Sequence, residues 1–325
     1  MNSKKWLIVS ILCIAVGLVL LLVSGIRNTD DLDAIMTKAG AAETLEEKTV
    51  TVKEDFDRIA VRETSADVKL LPAGDGVCRV VFGENERVRY SVRVQGDTLT
   101  VTREDKSSVS FGTMFYTREI PLQIYLPEQS YRSLLIECDS GDVLPERGFS
   151  FETAQISTAS GEIKLRDFQA DELQIHTASG DARLEEIRAE SLRAESASGD
   201  QELARVQIGK AAELSSASGE ISLEDLEAGS LDVSCTSGEV RLEKVSCAGE
   251  IRVETTSGDI KLRSAAAGSF DLHSTSGDVE GTIRGTVDFI VDTNSGSVRT
   301  RGGVRGAAPC QVSTTSGDVD LEAGN

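Results

Sequence analysis

The sequence predicts an all-β chain whose larger part is a parallel β-solenoid, or β-helix, of about ten 19–20-residue turns. An irregular β region and one N-terminal transmembrane helix precede it. Three observations lead there. Ser-Gly pairs begin at Ser140, Ser160, Ser179, Ser198, Ser218, Ser237, Ser257, Ser276, Ser295 and Ser316, in steps of 20, 19, 19, 20, 19, 20, 19, 19 and 21 residues. A fixed period of this length marks stacked repeats. Apolar residues recur at fixed offsets from each serine with a period of two, as on one buried strand face. Finally, an uncharged apolar run of 21 residues, Trp6–Ile26, opens the chain.

Residues 1–26 are the cytoplasmic start and the anchor. As a helix the apolar run spans roughly 30 Å, the hydrocarbon thickness of a bilayer. Lys4 and Lys5 precede it and Asp30, Asp31 and Asp33 follow it. The positive-inside rule then puts the N-terminus in the cytoplasm and the rest outside, which predicts a single-pass protein of the cell membrane with an extracellular C-terminal domain. A cleaved signal peptide ending at Val23–Gly25 is the competing reading, but signal h-regions are shorter, roughly 7–15 residues. Residues 27–47 read as a juxtamembrane linker, with Leu32, Ile35, Met36 and Ala39 at helical spacing.

Residues 48–137 carry alternating or β-branched stretches such as "RIAVRET", "RVRYSVRV" and "TLTVTRE", and Gly96-Asp97 gives a hairpin signal. "SADVKL" at Ser65–Leu70 resembles the later phrase with Ala66 in place of Gly, so this segment reads as a degenerate start of the solenoid. Residues 138–325 are the repeats proper.

With each corner serine as position zero, the inward rows are −6, −4, +3 and +5. Leu173, Ile175, Ala182 and Leu184 fill them in one turn; Gln201 is the polar exception at +3. Position −2 is always Thr, Ser or Cys, suited to hydroxyl bonding beside the corner. The corner glycines are expected to supply positive φ. A lone turn cannot bury both faces of its strands, so only the stack is stable.

The net charge is −20, which speaks against a nucleic-acid partner, because phosphate neutralisation needs a basic face. Cys78, Cys138, Cys235, Cys247 and Cys310 follow the apolar run, which itself holds Cys13. None shares a C-x-x-C spacing, so zinc and redox motifs have no support and the cysteines read as small apolar fillers. Position +2 is acidic in nine of the ten turns, from Asp142 to Asp318. Lys164, Arg183, Arg241, Lys261 and Arg299 point the same way and offset the charge, and the calcium nonapeptide repeat is absent, so the row reads as a solvated ladder rather than a metal site. His176 and His273 are five turns apart, roughly 24 Å at the strand spacing, so they cannot share a metal or a catalytic constellation. No cofactor, no metal and no catalytic residue is expected; the chain reads as a non-enzyme.

Charge is uneven along the repeats. Residues 138–325 hold 34 acidic and 17 basic side chains, yet Arg284, Arg299, Arg301 and Arg305 gather near the end. Gly281 and Thr300 replace Leu at +5 there, and Arg284 and Gly303 stand where +8 is usually apolar. The sequence stops just past the last strand, which suggests an uncapped end with unpaired strand groups. Two readings stand: a loosened final turn covered by its own loop, or a contact surface for a second copy or an anionic envelope polymer, with these four arginines as the contact.

Taken in order, "FDRIAVRETSADVKLLPA", "GDTLTV", "IYLPEQSYRSLLIECDSGDV" and the tandem "TSGD[IV]xL" units resemble the bacterial family labelled domain of unknown function 4097, or putative adhesin. The resemblance covers roughly Lys48–Asn325. It implies a β-strand-repeat fold on a bacterial envelope protein, some of whose relatives are associated with cell-envelope-stress operons, and it carries over no catalytic residue. The expectation is therefore a membrane-anchored, surface-exposed, adhesin-like binding module that meets a cell-wall polymer or envelope protein. The alternative is a spacer or end-to-end self-assembling element without a ligand, and a glycan-active β-helix enzyme comes third.

Overall fold

A computed structural model of the protein describes residues 45–105 and 120–324. The apolar run Trp6–Ile26, and with it the predicted anchor, lies outside the described residues. Among the described residues every named element is a β-strand, and no helix is long and apolar enough to cross a membrane. The strands form one continuous, mostly parallel solenoid of about ten turns.

The period-two pattern places each row as expected. Leu223, Leu242, Ile221 and Val240 are fully buried, and one core cluster runs the length of the described chain. Each turn has three sides. After the Ser179-Gly180 corner the strand Ala182–Glu185 forms the second side, and the following strand Arg188–Ser196 supplies both the third side and the first side of the next turn. The bend between the second and third sides is made by the residue at +7. Asp167, Glu186, Arg205, Asp225, Lys244 and Ser264 all take φ between 50 and 59° there. Alternation alone would point +7 inward; a left-handed residue turns the chain so that +8 points in instead. Phe168, Ile187, Val206, Leu226 and Val245 occupy that slot, all fully buried.

The corner glycines serve a purpose other than the one the sequence suggests. Those of the repeat are not in the left-handed region, Gly296 apart, whose φ of 158° is close to extended. They are glycines because the corners stack too closely for a Cβ. At Gly199 a Cβ would strike the backbone carbonyl of Gly180, and at Gly180 that of Gly161, in an unbroken column. Close approach of backbone to backbone, not φ, is what excludes a side chain.

Gln201 is a local flaw in the core. It is fully buried at +3, its Nε2 donates to the Ser215 carbonyl at 2.6 Å, and its Oε1 has no partner. An unsatisfied buried oxygen costs on the order of 1–3 kcal/mol, partly offset by the bond its amide makes. Gln201→Leu is expected to stabilise the protein by about 1 kcal/mol, seen as a rise in the thermal unfolding midpoint. An unchanged or lower midpoint would mean that the amide bond outweighs the stranded oxygen.

Stacking order departs from chain order at both ends. At the near end, Arg58–Glu63 lies between Thr98–Asp105 and Ser130–Cys138, and Val68–Pro72 lies between Leu122–Leu126 and Val143–Pro145. "SADVKL" is thus a true corner, seated directly under the Ser140 corner. At the far end, the Ser276 turn (Ser269–Ser274 and Val279–Arg284) pairs with the Ser316 turn (Ala308–Ser316 and Val319–Gly324). The Ser295 turn (Val287–Ser295 and Val298–Arg301) then pairs only with the Ser316 turn, from outside. This corrects the expectation of an uncapped C-terminal strand: Val319–Gly324 is an interior strand with neighbours on both sides. The strand Glu46–Thr51 pairs antiparallel with Arg79–Glu84 at the opposite end, and its first two residues fall inside the stretch read as linker.

The expected loss of core at Arg284 is corrected too. The Ser276 turn has its positive φ at Gly281 (135°) rather than at +7, so Ile283 comes into register with Ala265 and fills the core slot, fully buried, while Arg284 points outward. In the Ser295 turn the loss is real: Val298 and Thr300 occupy inward positions yet are exposed, and Gly303 lies against the Phe289 ring.

Candidate functional site

Four features of the rod carry polar chemistry: the acidic row, the buried Glu63 cluster, the grooves along the third side, and the far-end turn. The acidic row at +2 is chiefly a structural ladder. Every aspartate in it accepts the amide of the +2 residue one turn further along: Asp67 from Asp142, Asp142 from Glu162, Asp181 from Asp200, Asp200 from Glu220, Asp259 from Asp278, and Asp278 from Asp318, at 2.8–3.1 Å. The glutamates of the row are one methylene too long for this bond and reach sideways instead. Glu162 pairs with Lys164 and Arg183, Glu220 with Arg241, and Glu239 with Arg241 and Lys261. The last link is Asp318, which accepts the Ser297 amide at 2.7 Å and is held below its ordinary carboxylate range by that bond. Ser297 is the one non-acid of the row, and it sits where no further turn follows.

The −2 hydroxyls brace the corners: the Gly199 amide donates to Ser196 Oγ and the Gly277 amide to Ser274 Oγ, both at 2.8 Å. In the Ser65 turn this position is Glu63, whose side chain is fully buried. Its Oε1 accepts the amides of Thr64, Ser65 and Ala66 and Arg103 Nη1, and its Oε2 accepts the Tyr90 hydroxyl at 2.7 Å. Burial and the adjoining carboxylate push the Tyr90 phenol well above its ordinary value. The cluster satisfies a buried charge at the near end.

Among the described residues five cysteines are free and buried. Burial pushes the thiols of Cys78 and Cys310 up to about 12 and those of Cys138 and Cys247 up to about 11, so they are not nucleophiles. His176 and His273 are exposed; the first faces Glu195 and the second bonds Ser313. Among the described residues no three His, Cys, Asp or Glu side chains gather as metal ligands.

Two open grooves run along the third side. One, of about 600 Å³, is floored by Ala170, Ala189, Gly209, Ala228 and Gly229. The other, of about 640 Å³, mixes Arg188, Arg205, Lys244 and Arg284 with Glu186, Asp225 and Glu227. Arg284, on a strand separated from Val298–Arg301 by Val319–Gly324, lines this second groove, which none of the other three arginines singled out by sequence does. Arg299 and Arg301 stand side by side on Val298–Arg301, in contact with Asp320 at 3.4 Å and Glu322 at 3.3 Å of the adjacent Ser316 turn. Arg305 is exposed in the loop that follows.

The far-end turn also collects apolar surface. Of the four exposed large hydrophobic residues among the described residues, Ile290, Val298 and Val304 all lie in it. Ile290 could have been found by sequence: its column, −5, is otherwise polar in every repeat after Leu135. The loop covers the start of the outer edge: the Val304 amide donates to the Val287 carbonyl and the Gly306 amide to Asp288 Oδ2, both at 2.8 Å, and Gly303 lies against the Phe289 ring.

A family model described as Toastrack DUF4097 matches residues 56–216 and 209–324. No curated protein matches the chain. Among solved structures, a protein called "putative lipid binding protein" from Parabacteroides distasonis shares 18% identity at a TM-score of 0.52, over 85% of this chain and 96% of its own. A "putative adhesin" from the same organism shares 12% at 0.51, over 85% and 97%. Another from Parabacteroides merdae shares 12% at 0.50, over 74% and 95%. At such identities the likeness is one of fold.

Proposed function

The chain belongs to the Toastrack family DUF4097, and from that membership we propose that it is a single-pass bacterial envelope protein holding an adhesin-like binding rod outside the cell. One observation carries the reading: a regular rod, whose acids and hydroxyls are largely engaged in its own ladders, gathers three of the four exposed large apolar side chains of the described residues beside the unpaired strand edges of the Ser295 turn. The charge order Lys4, Lys5, apolar run, then Asp30–Asp33 supports the anchor and the orientation. Arg299, Arg301 and Arg305 remain the contact for an anionic cell-wall polymer or an envelope protein. A part in envelope-stress response follows from the family resemblance, and a non-catalytic role is supported by turn lengths too uniform to wall a cleft. That uniformity also favours a second reading, a spacer without a ligand.

Two measurements test the proposal. Protease added to intact protoplasts is expected to remove the repeats; protection of the repeats would reverse the orientation. The full chain is expected to co-sediment with cell-wall fractions. Replacing Arg299, Arg301 and Arg305 with Ser is expected to weaken that binding, most visibly at low salt. The fold should survive, since exposed ion pairs contribute only about 0–1 kcal/mol. Equal binding by wild type and triple variant at all salt concentrations would remove the arginines from the contact.

A further inference from the structure

From the pairing and charge of the Ser295 turn we infer that the far end of the rod is a two-fold interface with a second copy of this chain. The inference rests on the reading of this turn as the contact surface and commits it to one occupant.

The outer edge consists of two strands meeting at one corner. Val287–Ser295 runs into the Ser295-Gly296 corner, and Val298–Arg301 runs out of it. Both have a ladder partner on one side only, in the Ser316 turn. Beyond Val287 the other side has no backbone partner among the described residues. Such edges pair readily unless they are guarded.

The charges select the geometry. The outward row of Val287–Ser295 is Asp288, Ile290 and Asp292; that of Val298–Arg301 is Arg299 and Arg301. Each strand laid against its own copy sets like charges face to face. A two-fold axis through the corner, perpendicular to the rod, does the opposite. It lays each Val298–Arg301 antiparallel against Val287–Ser295 of the other molecule, because one strand approaches the axis and the other leaves it. Counting outward from the corner, Arg299 meets Asp292 and Arg301 meets Ile290. In the inward rows Val298 meets Thr293 and Thr300 meets Val291, so inward faces inward and outward faces outward. The contact is self-complementary, as a two-fold interface must be, and it covers Val298 and Ile290, which are 48% and 53% exposed.

The acid ladder stops in the same place. Ser297 carries no carboxylate for a further turn to bond, so the row is not built for head-to-tail growth. The opposite end is guarded: its edge strand Val88–Gln95 sets Arg89 and Arg93 in one exposed row, a like-charge barrier to pairing.

The test uses the full chain in detergent, with Cys13→Ser so that only buried, unreactive thiols remain beside an engineered one. Ser297 lies next to the axis, so Ser297→Cys is expected to give a disulfide-linked dimer on mild oxidation, and Glu46→Cys, at the other end, is not. A mixture of Ile290→Cys and Arg301→Cys chains is expected to cross-link, while each alone does not. Adding Ile290→Lys to Ser297→Cys is expected to cut the dimer yield about tenfold or more, since it sets a like charge against Arg301 of the other copy. Wall-fraction binding is measured on the same samples. Equal cross-linking at residues 46 and 297, or a yield indifferent to Ile290→Lys, overturns the second copy. If wall binding persists in that case and is lost on replacing the arginines, the contact surface stands with a wall polymer as its occupant. If both are absent, both readings fall.

Discussion

Leu223→Asp is expected to abolish the folded state at ordinary temperature, a loss of roughly 5 kcal/mol or more. Leu223 is fully buried, with Leu203 and Leu242 in register on either side. Shortening such a side chain alone costs about 2–5 kcal/mol. The carboxylate adds the cost of a charge with no partner in an apolar stack, and it disturbs two neighbouring turns at once. Ser222→Asp on the same strand is the control: it points outward and is expected to change stability by less than about 0.5 kcal/mol. Urea unfolding followed by circular dichroism separates them. Near-equal midpoints would mean that the inward register is wrong by one residue, since a slip of one exchanges the faces.

Gly199→Ala is expected to cost about 3 kcal/mol for a single added methyl, at the upper end of what overpacking does. The new Cβ meets the carbonyl oxygen and carbon of Gly180 and the amide of Asp181, all backbone and all held by ladder bonds on both sides. Nothing there can rotate away. Relief requires the corner column to part, which breaks the bond from the Asp200 amide to Asp181 (3.0 Å) next to it. Gly209→Ala provides the contrast, because its Cβ would meet only the flexible, exposed carboxylate end of Glu190, at 2.9 Å. That variant is expected to unfold within a degree or two of wild type. Equal sensitivity at both sites would mean that corner spacing is looser than the glycine column implies.

The reach of the sequence differs from row to row. The inward rows were readable because every turn repeats the same demand, so the rows fix each other. The bend at +7 was not: Asp167, Glu186, Arg205 and Lys244 share no side-chain chemistry, only a backbone conformation, and that leaves no compositional trace. The glycine column was visible, but its reason was inverted, since a corner glycine suggests positive φ until the neighbouring turn is seen. The choice of Asp or Glu at +2 looked like noise. It is set by reach, because only the shorter acid meets the next turn's amide. At the proposed contact site, Arg299, Arg301 and Arg305 are legible by charge and two of them share a strand. Arg284 is close to them in sequence, yet it lines a groove that none of them lines. Asp292 and Ile290 went unnoticed because their meaning depends on which turn is outermost. That order is invisible to rows that fit either arrangement, although exposed Val298 and the missing acid at Ser297 both record it.

The nesting of the Ser316 turn inside the Ser295 turn has a consequence for biogenesis. A chain emerging from a ribosome or a translocon delivers residues 287–301 before residues 308–324, yet the earlier segment has no seat until the later one has docked on the Ser276 turn. Growth of the rod by simple addition therefore halts one step early. The Ser295 segment must wait, unpaired, while the polypeptide behind it overtakes and fills the gap. The far end is consequently the last part of the rod to acquire structure. A nascent or clipped molecule lacking residues 308–324 loses two turns rather than one and exposes Phe270, Leu272 and Val279 to whatever machinery inspects unfinished proteins.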